Sequence, residues 1–205
     1  MYGVLAIGAA AAGIWAARHM AAPAPAAMPQ LASGTWLPQA REVGELALTD
    51  QTGASFAAAQ LKGAPALVFF GFTHCPDVCP TTLYTLAQVR RALGAGAPRV
   101  IFVSVDPARD TPAVLAQYVR AFDPQFIALS GDAHELARIA QRFGVAYARV
   151  DLPGGDYTMD HTAAVFLLDS AGRNVAIFTP PFDADRLAAD LRRAMPFTSR
   201  RAASG

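Results

Sequence analysis

The chain of 205 residues has little of what several classes of protein require. It contains only 2 cysteines, and its 17 Lys and Arg against 16 Asp and Glu give a net charge of +1. Nucleic-acid binding needs clustered basic side chains to neutralise phosphates, and no such cluster stands out. Cys75 and Cys79 would close too small a loop to stabilise a domain of this size as a structural disulfide. What the chain has instead is 53% hydrophobic residues, enough for a sizeable core.

The amino terminus differs from the rest of the chain. Residues 1–17 carry no charged side chain, and such a run is at the short end of what spans a bilayer as a helix, about 17–25 residues. We predict a transmembrane anchor or signal segment at residues 1–20 and an Ala/Pro-rich linker at 21–41. A retained anchor is favoured over a cleaved signal. Arg18 follows the apolar run, whereas the positive-inside rule favours basic residues on the side of the membrane that is not exported. A buried core helix is the alternative. The soluble domain is expected on the exported side, in a bacterial periplasm or its equivalent.

The pattern after the linker predicts one α/β domain over residues 42–197 and a flexible tail at 198–205. A hairpin over Glu45–Phe56 opens the domain, apolar strands then alternate with amphipathic helices, and a second hairpin and a last helix close it. This order is typical of a thioredoxin-like fold with an N-terminal β-hairpin extension. Strands are predicted at 66–71, 99–105, 126–129, 145–150, 163–168 and 174–178, a loop at 151–162, and helices at 81–93, 111–122, 132–143 and 183–195.

The two cysteines follow the apolar run Ala66–Phe70, where a buried strand ends and a helix begins. The positive end of a helix dipole favours thiolate there, which raises both nucleophilicity and metal affinity. Redox motifs of this fold have two residues between the cysteines, whereas Cys75 and Cys79 have three between them. The extra residue leaves room for an ion between the sulfurs. We therefore predict a metal-binding or redox-active pair, with a reversible Cys75–Cys79 disulfide left open.

Two thiolates bind a soft ion incompletely, and imidazole is the common third ligand for copper or zinc. Of the four histidines, His19 lies in the linker, His74 is adjacent to the first cysteine, and His134 is expected on a solvated helix face. His161 precedes a strand at the position where thioredoxin-like folds present a proline to the dithiol. It is therefore the candidate ligand, with a structural or surface role as the alternative. Two thiolates and one imidazole suit Cu(I), and also Cu(II) with an added weak ligand, whereas structural zinc prefers four protein ligands.

Charged residues near these positions have two interpretations each. Asp77 either tunes the charge between the cysteines or contacts a partner, or it only supplies negative charge to a helix N-terminus. Asp160 either orients His161 as a hydrogen-bond acceptor outside the metal or caps a turn. The loop formed by Asp106, Arg109 and Asp110 is either fixed by an ion pair or serves as a docking surface.

Three motifs, Gly71–Leu83, Val103–Pro112 and Asp156–Thr162, are similar to those of the Sco/SenC family, and the similarity covers residues 42–196. The resemblance implies a membrane-tethered, thioredoxin-like metallochaperone, and no enzyme. It implies copper, as Cu(I) or Cu(II), held by the family's ligands at Cys75, Cys79 and His161. The expected role is assembly of the dinuclear copper centre in subunit II of cytochrome c oxidase, with subunit II and a copper donor protein as partners.

Two other functions compete with this one. A thiol–disulfide oxidoreductase acting on cysteines of the same or another exported protein would need Cys75 and Cys79 but no histidine. A peroxidase of the peroxiredoxin type generally has a Thr-x2-Cys motif. Thr73 is two positions before Cys75, so that spacing does not fit.

Overall fold

The computed structural model of the protein describes residues 28–203, with side chains through residue 198. The predicted anchor at residues 1–20 lies outside the described residues. Within the described part, no helix is both long enough and apolar enough to cross a bilayer.

Strands of the described residues form one mixed sheet of eight strands and a separate two-stranded hairpin. The strands are β1 (Gly34–Glu42), β2 (Ala47–Asp50), β3 (Ser55–Ala57), β4 (Ala66–Gly71), β5 (Arg99–Ser104), β6 (Ile127–Ser130), β7 (Tyr147–Asp151), β8 (Tyr157–His161), β9 (Val165–Leu168) and β10 (Arg173–Phe178). The order in the large sheet is β1-β10-β9-β4-β5-β6-β2-β3. Strands β4, β5 and β6 are parallel, and β9 pairs with β4 in the antiparallel direction. The predicted hairpin extension is confirmed as β2–β3.

Helices of the described residues connect and cover these strands. They are α1 (Val78–Leu93), α2 (Pro112–Arg120), α3 (Ala133–Phe143) and α4 (Ala184–Ala203). The predicted N-cap of α2 is confirmed, because the Thr111 side chain accepts a hydrogen bond from the Val114 amide. Helix α3 is capped at its N-terminus by Asp132, which accepts from the Glu135 amide at 2.9 Å. Its C-cap is Gly144 with φ of +73°, a conformation that glycine adopts without strain.

The core is centred on β4, where every residue from Ala66 to Gly71 is buried. Helices cover both faces of this strand, which explains its uninterrupted apolar sequence. The Phe70 ring meets the rings of Phe143 at 5.2 Å and Phe166 at 6.1 Å in edge-to-face geometry. Each buried aromatic ring contributes about 1.5–3 kcal/mol to folding. Strand β4 ends directly before the segment at residues 72–77, here called the cysteine loop, so the core fixes where that loop starts.

The structure differs from the sequence prediction at both ends of the domain. Residues 34–41, predicted as linker, belong to β1, which pairs antiparallel with β10 from Gly34 opposite Phe178. The predicted tail at 198–205 continues as helix through Ala203. Thr198 is 1% exposed and donates its hydroxyl hydrogen bond to the Met195 carbonyl at 2.8 Å. The domain therefore begins earlier and its last helix ends later than composition suggested.

A third difference lies beside the predicted site. Residues 151–162 were predicted as a loop, but Tyr157–His161 forms β8, which pairs antiparallel with β7. This hairpin is separate from the large sheet and is largely solvent-exposed on β7. Its residues therefore lack the apolar alternation that marks a half-buried strand.

Candidate metal centre

Both cysteines are positioned by the junction between β4 and α1. Cys79 lies within the first turn of α1, which starts at Val78, three residues before the predicted start at residue 81. Its backbone amide donates a hydrogen bond to Cys75 Sγ at 3.3 Å. Amide groups in the first turn of a helix have no acceptor within the helix. Cys75 Sγ is the acceptor for one of them. Cys75 is 9% exposed and Cys79 is fully buried, and neither forms a disulfide.

Gly71 makes room for the buried sulfur. A Cβ atom placed on Gly71 would lie 2.8 Å from Cys79 Sγ and 2.8 Å from Cε2 of Phe102. Contacts this short would force the sulfur or the ring to move. The absence of a side chain at the last position of β4 therefore allows Cys79 to pack directly against the sheet.

The cysteine loop is held by a buried carboxylate from the neighbouring strand connection. Asp110 is 1% exposed and accepts hydrogen bonds from the Thr73 amide at 3.1 Å and the Thr73 hydroxyl at 2.5 Å. The Ser104 hydroxyl at the end of β5 donates a third at 2.6 Å. A buried carboxylate is tolerated when several donors satisfy it. Asp110 thereby ties the start of the cysteine loop to β5.

The connection after β5, which carries Asp110, also holds the β7–β8 hairpin. Arg109 donates from Nε to Asp106 at 2.5 Å and from Nη1 to the Tyr157 carbonyl at 2.9 Å. The Tyr157 hydroxyl donates to the other oxygen of Asp106 at 2.8 Å. The guanidinium groups of Arg109 and Arg149 lie 3.7 Å and 3.9 Å from the centroid of the Tyr157 ring, a favourable cation–π arrangement. Tyr157 begins β8 and His161 ends it, so this contact positions the histidine.

His161 reaches the cysteines from the end of β8. Its Nε2 lies 3.3 Å from Cys79 Sγ, and its Nδ1 lies 3.3 Å from the carbonyl oxygen of Thr162. A carbonyl oxygen only accepts hydrogen bonds, so Nδ1 carries the proton and the lone pair of Nε2 points to the sulfur. The rings of Phe69 and Phe72 each lie 6.0 Å from the imidazole in edge-to-face geometry. The expectation that this imidazole faces the sulfurs is confirmed.

Burial keeps the facing groups neutral in the metal-free protein. It raises the pKa of the Cys79 thiol far above its ordinary value. Burial lowers the pKa of His161, against the opposing effects of the Thr162 carbonyl and Asp160. The Cys79 thiol therefore donates its hydrogen bond to Nε2 at neutral pH. A metal ion that binds here must displace that proton.

The donor atoms of Cys75, Cys79 and His161 all lie within 4.8 Å of one another. They form a potential copper site, since two sulfurs and one imidazole are the soft and intermediate ligands that copper accepts. Among the side chains of residues 28–198, no fourth histidine, cysteine or carboxylate joins this group. A closed four-ligand site of the kind that structural zinc prefers is therefore not formed by these residues.

A groove of about 250 Å³ leads to the site. Cys75 and His161 line it, whereas fully buried Cys79 does not. Its remaining walls are apolar and acidic side chains with Thr158: Phe72, Pro76, Val78, Met159, Asp77 and Asp160. Within this groove the donor set is therefore reached through Cys75 and His161.

Of the other residues singled out in the sequence, Asp77 and His134 lie where one of the predictions places them, whereas Asp160 does not make the contact predicted for it. Asp77 is exposed at the N-cap of α1, where it accepts from the Thr81 hydroxyl at 3.2 Å. Asp160 is exposed, and the Nδ1 contact predicted for it is made by the Thr162 carbonyl. His74 is half-exposed beside Asp110, 4.0 Å away, and exposed His134 lies on α3.

Sequence reasoning missed the roles of Tyr157 and Arg149. For Tyr157 the signal was its position four residues before His161, which places both at the ends of one short strand, whereas the sequence carries no such signal for Arg149. For Arg109 and Asp106, the interpretation as a loop-fixing ion pair is the one that the structure shows.

Comparisons with known proteins agree with this geometry. The SCO1/SenC family matches residues 36–196. A SCO2-like protein of Rickettsia prowazekii is 40% identical over 139 residues, 66% of this chain and 68% of the relative. The structure of Bradyrhizobium japonicum ScoI with copper bound is 47% identical, with a TM-score of 0.68 over 73% of this chain and 97% of that chain. BsSco, a member of the Sco family of cytochrome c oxidase assembly proteins in which a disulfide switch was identified, is 25% identical, with a TM-score of 0.61 over 79% and 98%.

Proposed function

This chain belongs to the SCO1/SenC family, and from that premise we propose that it binds copper through Cys75, Cys79 and His161 and delivers it to the dinuclear copper site in subunit II of cytochrome c oxidase. The observation that carries the proposal is the 3.3 Å contact between Cys79 Sγ and His161 Nε2. These residues are 82 positions apart in sequence. The separate β7–β8 hairpin brings His161 to Cys79.

The groove supports transfer rather than permanent storage. Cys75 and His161 face it, so an incoming thiolate or imidazole of an acceptor meets these two ligands first. Cys79 holds the ion from the buried side until the acceptor has supplied its own ligands. Stepwise exchange of this kind needs an open coordination position, which three protein ligands leave. Asp77 and Asp160 give the groove wall a negative charge that favours a cation or a basic partner segment.

We also propose that the protein works on the exported side of a membrane. Assembly of an oxidase subunit on the exported side of a membrane is consistent with the apolar segment at residues 1–17. We place the copper-binding domain on that side, tethered through the N-terminal segment and loaded by a copper donor protein.

Thiol–disulfide exchange is the less favoured alternative. A dithiol enzyme requires both sulfurs but no imidazole 3.3 Å from the buried one. The disulfide switch described for BsSco concerns that protein. In this chain, an auxiliary exchange reaction of Cys75 with Cys79 would share the site with copper and would not replace it.

Copper titration of the full chain tests the proposal. We expect the reduced protein to take up one equivalent of copper, followed by absorbance and by native mass spectrometry. His161→Ala removes one of three ligands and should weaken copper binding by about 100-fold or more, while the dithiol stays reactive toward a disulfide reagent.

The matched control is His74→Ala, since this half-exposed histidine is adjacent to Cys75 but is not among the proposed ligands. Its copper affinity should equal that of the wild type. Normal oxidase assembly in cells that carry His161→Ala as their only copy would contradict the chaperone function.

A further inference from the structure

The outer edge of strand β7 has backbone groups without a strand partner. In the described part of the chain, β7 pairs with β8 alone, and these two strands form a sheet of their own. Residues 148–151 of β7 are all exposed. An unpaired strand edge is a template to which another extended chain can add. Because a sheet of two strands is marginally stable by itself, a third strand would stabilise the hairpin.

Hydrogen bonds at the two ends of the hairpin show which backbone groups face outward. The Thr162 amide donates to the Ala146 carbonyl at 2.9 Å, and the Leu152 amide donates to the Asp156 carbonyl at 2.8 Å. Bonding alternates along an antiparallel ladder, so the even-numbered residues of β7 direct their amide and carbonyl groups toward β8. The odd-numbered residues of β7 direct theirs to the free edge, and these are Tyr147, Arg149 and Asp151.

The opposite edge of the hairpin is covered by the domain. The Tyr157 carbonyl of β8 accepts a hydrogen bond from Arg109 at 2.9 Å. At the end of the same strand, His161 lies against Cys79. An added strand therefore has access to this small sheet at the β7 edge.

The free edge leads to the metal centre. A groove of about 310 Å³ lies beside it and is lined by His161. The other walls of this groove are mostly small side chains: Ala146, Tyr147, Ala148, Asp160 and Thr162. A strand added to β7 would lie about 4.8 Å from it, so its end next to Tyr147 would reach the groove. Copper-binding side chains on that segment would then arrive beside His161, through a different groove from the one that Cys75 lines.

The exposed side chains of the hairpin define the chemistry of a segment that fits it. Val150 and Leu152 are 38% and 42% exposed and offer apolar contacts. Residues 147–161 contain three aspartates against one arginine. The side chains of Asp151 and Asp156 are 78% and 75% exposed. A complementary segment therefore combines apolar and basic residues.

We propose that the β7 edge is a docking site for the copper acceptor, which adds an extended segment of apolar and basic residues as a third strand of the hairpin. The inference rests on the proposed copper delivery and adds the way in which the acceptor is held. Hydrogen bonds to the backbone fix the direction and register of the segment, and side-chain contacts give specificity. Docking of this kind keeps the acceptor's ligands beside His161 during transfer.

Asp151→Pro in the full chain tests the added strand. Proline at this position removes an outward amide and places its ring at the free edge, while the bonds between β7 and β8 remain. Asp151→Ala is the matched control, because it removes the same side chain and keeps the amide. With the soluble domain of cytochrome c oxidase subunit II as acceptor, we expect Asp151→Pro to transfer copper about tenfold more slowly than Asp151→Ala. Cu(I) affinity and the rate of copper extraction by a small chelator should be equal in the two variants.

Amide hydrogen exchange of the wild type, resolved by residue, needs no substitution. Addition of the acceptor to the copper-loaded protein should slow exchange by about tenfold or more at the outward amides of Tyr147, Arg149 and Asp151. The amides of Ala148 and Val150 already face β8 and should change less.

Equal transfer rates for Asp151→Pro and Asp151→Ala, or unchanged exchange at the outward amides, would overturn the inference and leave copper delivery intact. Slower extraction by the small chelator in Asp151→Pro would also overturn it, because that result identifies a distorted metal centre. Protection that appears without the acceptor and grows with protein concentration would overturn it in favour of pairing between two copies of this chain. If copper-loaded wild type transfers no copper to the acceptor, the proposed delivery fails, and this inference fails with it.

Discussion

At the scale of single residues, the site depends on a neutral pair. Cys79 and His161 are both held uncharged by burial, one as a thiol and the other as an imidazole with its proton on Nδ1. Burying a thiolate or an imidazolium would be costly, and the metal-free protein buries neither. A bound copper ion would compensate the charge of the thiolate as it forms. Loading would then exchange a proton for a metal ion at the same sulfur.

This exchange predicts how copper affinity depends on pH. Because the pKa of Cys79 is raised, its thiol is protonated throughout the neutral range, and loading releases at least that proton. Affinity should therefore fall as pH falls, by about tenfold or more for each unit between about pH 8 and pH 6. The lowered pKa of His161 delays competition by imidazole protonation to the acidic end of this range.

The measurement is a Cu(I) competition titration at several pH values, corrected for the pH dependence of the chelator. His161→Ala serves as the comparison, since it should keep the slope that arises from Cys79 and lose any steeper part at low pH. A wild-type affinity that is constant across this range would show that Cys79 is already ionised in the metal-free protein.

At the scale of elements, the loop after β5 supports both halves of the site. Asp110 holds the cysteine loop through Thr73, while Asp106 and Arg109 hold the hairpin through Tyr157. One short connection therefore sets the distance between His161 on β8 and the two cysteines, Cys75 just before α1 and Cys79 in its first turn. Placing the ligands within a few tenths of an ångström requires such support from neighbouring groups.

The two arginines on opposite faces of Tyr157 allow a matched test of this support. Arg109→Gln leaves the buried carboxylate of Asp106 without its cation and frees the Tyr157 carbonyl, so we expect a loss of about 3 kcal/mol in unfolding free energy. Copper affinity should fall about tenfold, because His161 is no longer held at its distance from Cys79. Arg149, whose side chain is 56% exposed, should change stability by at most about 0.5 kcal/mol when mutated to Gln.

Urea unfolding and copper competition on both variants provide the measurement. Equal losses for Arg109→Gln and Arg149→Gln would show that the ring is held by its two cation–π contacts and that the Asp106 network contributes nothing specific.

Elements that bury an apolar face could be predicted from the sequence, and others could not. Strand β4 and the β2–β3 hairpin follow from an apolar run and a turn motif, and they form as expected. Strand β8 lies at the surface and is ordered by Arg109 and Asp106 from a distant part of the chain. No local pattern encodes such a contact. The position of His161 beside the cysteines was nevertheless predicted, because the fold class fixes where its segment approaches them.

At the scale of the whole molecule, β1 extends the sheet at the edge opposite the β2–β3 hairpin. The segment before it is tied to α4, where fully buried Asp190 accepts hydrogen bonds from the amides of Ala32 at 2.9 Å and Ser33 at 2.7 Å. Although burial acts to raise it, the pKa of Asp190 lies below its ordinary value because of the Ser33 hydroxyl, these two amides and the nearby Arg193. Residues that compose an apparent linker therefore complete the domain.

A truncation series tests this role. A chain that begins at residue 43 loses β1 and the donors of Asp190, and we expect it to be less stable than a chain that begins at residue 28 by about 3 kcal/mol or more in urea unfolding. Strand β1 is three strands away from β4, so the folded fraction of the shorter chain should bind copper with unchanged affinity. Saturating copper should then restore part of the lost stability, because a ligand that binds only the folded state stabilises it by mass action. Equal stability of the two chains would mean that residues 34–42 add a strand without supporting the fold, and a loss of copper affinity in the shorter chain would mean that the edge of the sheet reaches the metal centre through the core.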